Sequence, residues 1–292
     1  AHQIDLGALG EEWLLSADIL HNTLDNASYW YDQRCEQPVA TAPDGRGVYD
    51  CGGAPEALAV GSFDGGKSTL FALSASKDWT TSVGRFDLFA SYTHADVKDI
   101  GYGTSSTATS NYSDFAAYDR QSPREGTSNF QVEHMFKLRL NWRKELIDGY
   151  ETKASLFATR RSGQPYSYTF SENNNCVLDL NGGRCARESR NDDAGHLLYV
   201  PDGINDPLFS AASFGGVVAD QQAFIDYING SELARYAGGI APRNGDNSSM
   251  TTMVDLRIQQ ELPALNPEHS FKLFFDIENL GNLLNDDWGR IE

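Results

Sequence analysis

"FKLRLNWRKELIDGYETKASLFATRRSG", from Phe136 to Gly163, sets charged residues beside bulky apolar ones along most of its length. Read in twos, the stretch and its approach separate. The even positions Val132, His134, Phe136, Leu138, Leu140 and Trp142 are apolar apart from the histidine. The odd positions Gln131, Glu133, Lys137, Arg139, Asn141 and Arg143 are polar, with Met135 as the exception. A helix would return to its apolar face every three or four residues, whereas a period of two describes a strand with one apolar and one charged face. Ile147-Asp148-Gly149 then signals a tight turn. Beyond it, Tyr150, Ala154, Leu156 and Ala158 fall on one face, and Glu151, Lys153, Ser155 and Arg161 on the other. The stretch is therefore a hairpin. Its arms exceed the usual five or six residues of a globular strand and match the roughly 9–11 residues that a tilted strand needs to cross a bilayer.

The same alternation recurs, and predicts about seven long strands near 12–31, 67–79, 83–97, 130–146, 150–170, 250–262 and 270–279. The connections 80–82, 147–149 and 263–269 are short. Those at 33–66, 98–129 and 171–249 are long and rich in Gly, Ser, Asn and Asp. Strict alternation of short and long connections is unlike a sandwich, and matches an outer-membrane barrel with short periplasmic turns and long extracellular loops. Trp79, Trp142 and Tyr150 fall by the short turns and Tyr29, Trp30, Tyr31, Tyr166 and Tyr168 by the long loops, as two aromatic girdles would; the general preference of aromatics for strands contributes to the same pattern. The expectation is an all-β, antiparallel transmembrane barrel wall occupying residues 1–292. Within the longest loop, Phe224, Ile225, Tyr227, Ile228 and Leu233 have partly helical spacing, which predicts a short helix over Asp220 to Tyr236.

Composition narrows the function classes. The chain has 23 Lys and Arg against 41 Asp and Glu, a net charge of -18, and no basic stripe, which excludes a phosphate backbone as partner. No stretch is apolar enough for a membrane helix, a test that barrel strands escape because alternation averages out. Any secretion leader is expected to have been removed or to lie outside this chain. The four cysteines occur as Cys35 with Cys51 and Cys176 with Cys185, each pair within one predicted loop. Three connectivities are possible, and four free thiols are the simplest alternative. The short separations favour two local disulfides and an oxidising compartment.

Gly61-Ser62-Phe63-Asp64-Gly65-Gly66-Lys67-Ser68 satisfies the phosphate-loop pattern, which would cradle phosphates only if a helix followed. Residues 69–79 alternate like a strand instead, so the motif reads as a glycine-rich entry into a strand. The histidines are scattered without metal-ligand spacing, and no nucleophile elbow occurs. The acidic runs at 191–193 and 285–287 lack calcium-loop spacing and read as solvated charge. We expect no catalytic residue, metal or other cofactor.

"RRSGQPYSYTF" (Arg160 to Phe170), "LLYVPDGINDP" (Leu197 to Pro207) and "FDIENLGNLLNDDWG" (Phe275 to Gly289) resemble signature segments of the C-terminal part of Oar-like TonB-dependent outer-membrane receptors. The similarity runs from about Trp13 to Gly289. The resemblance implies a share of a barrel of about 22 strands filled by an N-terminal plug, in the bacterial outer membrane. It implies as partners the outer-membrane lipid, a TonB-type energy-coupling protein acting through the plug, and a small ligand or peptide captured by the loops. The plug, the coupling box and the terminal aromatic strand are not seen, so the expectation is a piece of a longer protein. In this picture Glu133, Lys137, Arg139, Arg143, Glu151, Lys153, Arg161, Asp255, Arg257, Asp276 and Glu278 face the lumen. A passive pore or a surface-structural β protein would share the alternation, and a phosphate-loop nucleotide enzyme is the remote third reading.

Overall fold

A computed structural model describes residues 2–7, 10–51, 57–101, 103–170, 195–209, 218–265, 269–283 and 285. Eight strands form one antiparallel sheet in chain order: β1 (His2–Ile4), β2 (Trp13–Thr23), β3 (Lys67–Thr81), β4 (Gly84–Asp99), β5 (His134–Ile147), β6 (Tyr150–Arg161), β7 (Thr251–Pro263) and β8 (Ser270–Ile277). Each strand pairs with its neighbours in sequence, and the short strand Gly126–Thr127 extends the sheet beside Lys98–Asp99. Strands β1 and β8 are the edges, and no pairing joins them among the described residues. The architecture is thus mostly an antiparallel β meander, and among the described residues no barrel closure is shown.

Register carries the alternation across the sheet. Leu140 of β5 lies opposite Leu88 of β4 and Leu156 of β6, Leu156 opposite Leu256, and Leu256 opposite Ile277. Two residues towards the short turns, Trp79, Phe86, Trp142, Ala154, Ile258 and Phe275 form a second row. The other face carries the row Asp78, Asp87, Asn141, Ser155, Arg257 and Asp276. One face is therefore mainly apolar, interrupted by Lys77 in the Leu88–Leu140 row and by Arg160 opposite Phe136, and the other mainly polar, interrupted by Phe89 and Phe157.

No described element covers the apolar face. Ile19, Leu73, Phe136, Leu138, Phe271 and Phe275 on it are exposed, and all three buried hydrophobic clusters centre on the long connections. A sheet normally buries one face against another layer. Here the packed cores stand beside the sheet's end rather than on it.

The short turns are held by side chains of the next strand. Gly84 has φ +138°, and a Cβ there would stand 2.5 Å from Trp142 Nε1, so only glycine fits. Trp142 Nε1 donates to the Val83 carbonyl at 2.9 Å, and Lys144 Nζ to that of Ser82 at 3.2 Å. Trp79 stacks on Phe86 with ring centroids 5.2 Å apart, giving this end of the sheet a group of aromatic side chains.

Several sequence expectations need correction. The strand expected over 12–31 breaks after Thr23: Ala27–Asp32 leaves the sheet and pairs with Leu58–Phe63 as a separate ribbon. The positive φ of Gly65 (+137°) and Gly66 (+127°) interrupts the partner strand at the same level. The connection 33–66 consequently contains a strand, and the expected 130–146 strand begins only at His134. The expected 150–170 strand stops at Arg161, with Pro165–Tyr166 pairing instead with Asp246–Asn247. β1 adds an eighth strand. Glu278 follows the last residue of β8, and Glu133 precedes the first of β5, so neither sits within a strand. Tyr29 is buried in a loop core rather than placed in a girdle. The long connections are also structured: helices α1 (Ala108–Ser113) and α2 (Val218–Asn229) lie there, and the latter with the 3-10 turn Glu232–Tyr236 matches the helix read from sequence.

Residues 69–79 are strand, as the alternation required. The Gly66 N–H donates to Glu125 Oε1 at 3.0 Å and Lys67 Nζ pairs with Glu125 Oε2 at 3.2 Å. A carboxylate of the chain itself occupies the groups a phosphate would need.

Candidate functional site

The described parts of the connections 33–66, 98–129 and 171–249 pack together into a cap. In its first core Tyr29 packs edge-on against Phe63 at 5.6 Å and Phe115 at 6.0 Å, with Ala27, Ile100 and Ala117 around them. The second core is Val200, Ile225, Ile228, Leu233 and Ala241. The third surrounds the Cys35–Cys51 disulfide beside Tyr49. Cys176 and Cys185 lie outside the described residues.

Polar ties join the three connections. Buried Gln121 accepts from the Asp32 N–H at 2.9 Å and donates from Nε2 to the carbonyls of Asp32 (2.7 Å) and Cys35 (2.9 Å). Tyr49 donates its hydroxyl to Asp119 Oδ2 at 2.8 Å. Arg46, 2% exposed, binds the Asp44 carboxylate and donates to the Leu197 carbonyl at 2.9 Å. Buried charges persist only when paired in this way. For Asp32, burial alone would raise the carboxyl pKa, but the hydrogen bonds and charge of Arg34 outweigh it and hold the group below the usual carboxylate range. His196 is pushed the other way for a base. Its burial, with the charges of Arg120 and Arg46 nearby, lowers its pKa to about 3, so it is neutral.

Where these connections meet is a hollow of about 410 Å³. Aromatic and apolar walls come from Tyr29, Ile100, Phe115 and Tyr118, and further wall from Tyr199 and the run Gly238 to Arg243. The Arg124 guanidinium lies 3.6 Å from the centre of the Tyr118 ring. Arg243, only 5% exposed, donates from Nη2 to Asp99 Oδ1 at 2.5 Å and to the Gly126 carbonyl at 3.3 Å, while its Nη1 has no hydrogen-bond partner. The carboxylates are engaged: Asp44 by Arg46, Asp119 by Tyr49, and Glu125 by Gly66 and Lys67. The backbone hydrogen bond from Gly66, reinforced by Lys67 and opposed by burial, holds the Glu125 pKa below its usual value. Among the described residues, no Ser, Cys, Thr or His lines the hollow. The hollow thus combines flat apolar walls with two guanidinium groups, a setting that suits a carboxylate or other anionic group.

Of the residues predicted to face one side, those within strands share the polar face of the sheet, where they fall into rows, while Glu133 and Glu278 lie outside the strands. Arg85, Arg143 and Lys153 stand side by side, flanked by the Asp78–Asp87 row and by the pair Glu145–Glu151, whose Glu151 N–H donates to Glu261 Oε2 at 3.2 Å. Rows of opposite sign two residues apart offset the repulsion within each row. Arg257 makes a bidentate pair with Asp276 at 2.5 and 2.7 Å, and Asp255 accepts from the Asn279 N–H. Arg139 lies between Phe89 and Phe157 in register, its guanidinium 5.7 Å from the Phe89 ring centre. Lys137 is opposite Ser91 and Thr159, and Arg161 opposite Met135 and Thr251. Glu133 accepts from Asn247 Nδ2 at 3.0 Å, reaching the cap. None of these lines the cap hollow apart from the sheet. Arg124 and Arg243, which do, carry no periodic signal; their only mark in sequence is a place beside glycine or proline in a long connection.

The apolar face has a depression of its own, of about 760 Å³, to which β1 through β7 all contribute. No family model, curated protein or solved structure matches the chain.

Proposed function

We propose that the chain forms part of the wall and the extracellular ligand-capturing cap of an outer-membrane receptor of the TonB-dependent, Oar-like kind. The observation that carries this reading is the pairing of an uncovered, mainly apolar face with a cap that holds every buried cluster among the described residues. Strands of 11 to 16 residues from β2 to β7 are long enough to cross a bilayer. Lipid would then supply the apolar partner that the fold lacks, the polar face would meet the lumen, and the cap hollow would hold a small anionic molecule or peptide. Energy for release inward would come from a coupling protein acting through a plug. The test is a nitroxide attached at Leu140→Cys and, separately, at Arg139→Cys in lipid bilayers. The first should be relaxed by dissolved oxygen and the second by a water-soluble nickel chelate. The opposite pattern, or chelate access at both, rejects a lipid-facing wall.

The depression on the apolar face favours a second reading, in which the sheet cradles an apolar ligand. That reading requires a fluorescent fatty-acid probe to bind the lipid-free protein and a leucine-to-lysine change at Leu138 to abolish binding.

A further inference from the structure

His94 and His134 are 40 residues apart in sequence and directly opposite each other in the β4–β5 register. Their ring centroids are 5.0 Å apart. Glu133 adjoins them, and one potential ligand atom from each of the three residues lies within 4.8 Å of the others. Strand pairing brings His94 to the adjacent Glu133 and His134, which lie about 40 residues further along the chain.

The surroundings orient each member. The Tyr92 hydroxyl lies 2.9 Å from His134 Nδ1, which leaves Nε2 facing Glu133 Oε1 at 3.7 Å. The second Glu133 oxygen accepts from Asn247 Nδ2 at 3.0 Å. Outer partners of this kind fix the tautomer of a ligating imidazole and the direction of a ligating carboxylate. With Nε2 on a metal, His134 Nδ1 carries the proton and donates to the Tyr92 oxygen. A His134–Glu133 ion pair would explain those two residues but not the third. His94 Nδ1 is buried without a hydrogen-bond partner, and a buried nitrogen calls for one.

Access comes from above. His94 and Glu133 line a polar cavity of about 460 Å³ whose other walls include Glu232, Arg235 and Asn244 to Asn247 of the longest connection. The nearby charges are matched among themselves: Lys98 with Asp96 at 3.2 Å and Arg235 with Glu232 at 3.0 Å. They neither occupy nor block the cluster.

We propose that His94, Glu133 and His134 bind a divalent first-row transition metal of the zinc type, with a coordination position open to this cavity. Two imidazoles and one carboxylate suit zinc, nickel or copper rather than calcium or magnesium. The proposal does not depend on the receptor reading, since it rests on the β4–β5 register and the cavity alone.

The test is titration of the purified, chelator-stripped whole chain with cobalt(II), read by visible absorption and by metal analysis. One cobalt per chain is expected, with d–d bands that zinc bleaches. His94→Phe and His134→Phe keep a flat ring in the stack and should each weaken binding by at least about 100-fold, and Tyr92→Phe by about 10- to 100-fold. Glu133→Gln, at the rim, serves as the third ligand variant if a ring change impairs folding. Absence of bands below about 1 mM cobalt, or unchanged affinity in the ligand variants, overturns the assignment.

Discussion

Replacing Leu140 by Lys tests the wall most directly. Leu140 lies six residues after the start of β5 and seven before its end. At about 3.3 Å per residue it stands roughly 20–23 Å from each end along the strand. A tilt near 45° reduces that to roughly 15 Å, the middle of a hydrocarbon layer about 30 Å thick. Its cross-strand neighbours are Leu88 and Leu156, and the next residue in the row beyond Leu88 is Lys77, itself a cation, so the row offers no acceptor for an ammonium. A Lys facing lipid at the midplane costs roughly 2–4 kcal/mol, or about 30- to 1,000-fold in the folding equilibrium. The neighbouring change Arg139→Leu removes only a half-exposed contact with Asp87 at 3.6 Å and the stacking on Phe89, worth about 1 kcal/mol or less. Urea titration in lipid vesicles, followed by the mobility shift of the folded form on unheated gels, gives both values. Equal losses, or a larger one for Arg139→Leu, would refute the placement of the apolar face in lipid.

Three further outcomes are expected. Edges β1 and β8 would leave unpaired backbone groups in hydrocarbon, each costing several kcal/mol, so the isolated 292 residues should form no steady channel in planar-bilayer recordings. Gln121→Ala strands the Asp32 N–H and the carbonyls of Asp32 and Cys35 and should destabilise the cap by about 1–3 kcal/mol or more, seen as faster amide exchange at residues 27–35 with the sheet unchanged. His196 has its folded pKa lowered from 6.5 to about 3, so the unfolded chain takes up the proton first and cap stability falls as pH drops below about 6.5, by up to roughly 1.4 kcal/mol per unit; His196→Gln should flatten that dependence in pH-resolved cap melting.

The wall was legible because alternation is a local signal. Leu138 and Arg139 announce opposite faces from their own neighbours, and the register only had to join such faces into rows. Strand ends were less legible. The break after Thr23 falls at the Asp25-Asn26 bend, opposite the positive-φ pair Gly65 and Gly66 in the partner strand, a match that sequence periodicity alone does not show. The cap was nearly silent for the same reason. Gln121 matters because three backbone groups from another connection converge on it, and Arg243 because Asp99 and Gly126 do. Such residues gain their meaning from closure of long loops, which sequence periodicity does not record. The Cys35–Cys51 bridge was the exception, since its partners are near each other before folding. His94 and His134 illustrate the opposite case: read as scattered, they meet because β4 and β5 pair with those two residues in register.

The division between wall and cap has a consequence for ligand capture. Among the described residues the sheet has no dry core of its own, so in the receptor reading its stability depends on an apolar phase outside the chain. The cap has three cores, a disulfide and a set of polar ties that span from one connection to another: Gln121 to Asp32, Arg46 to Leu197. The shape of the hollow is therefore set by contacts among the connections rather than by the curvature of the sheet. Links that cross between the two tiers include Arg243 to Asp99 at the end of β4, Glu133 to Asn247, Gln131 to Val97 and the Gly66–Glu125–Lys67 set. In the receptor reading, movement inside the barrel must reach the captured ligand through those links. They include Glu133 of the proposed metal cluster, so a metal bound there would stiffen the joint between the sheet rim and the longest connection.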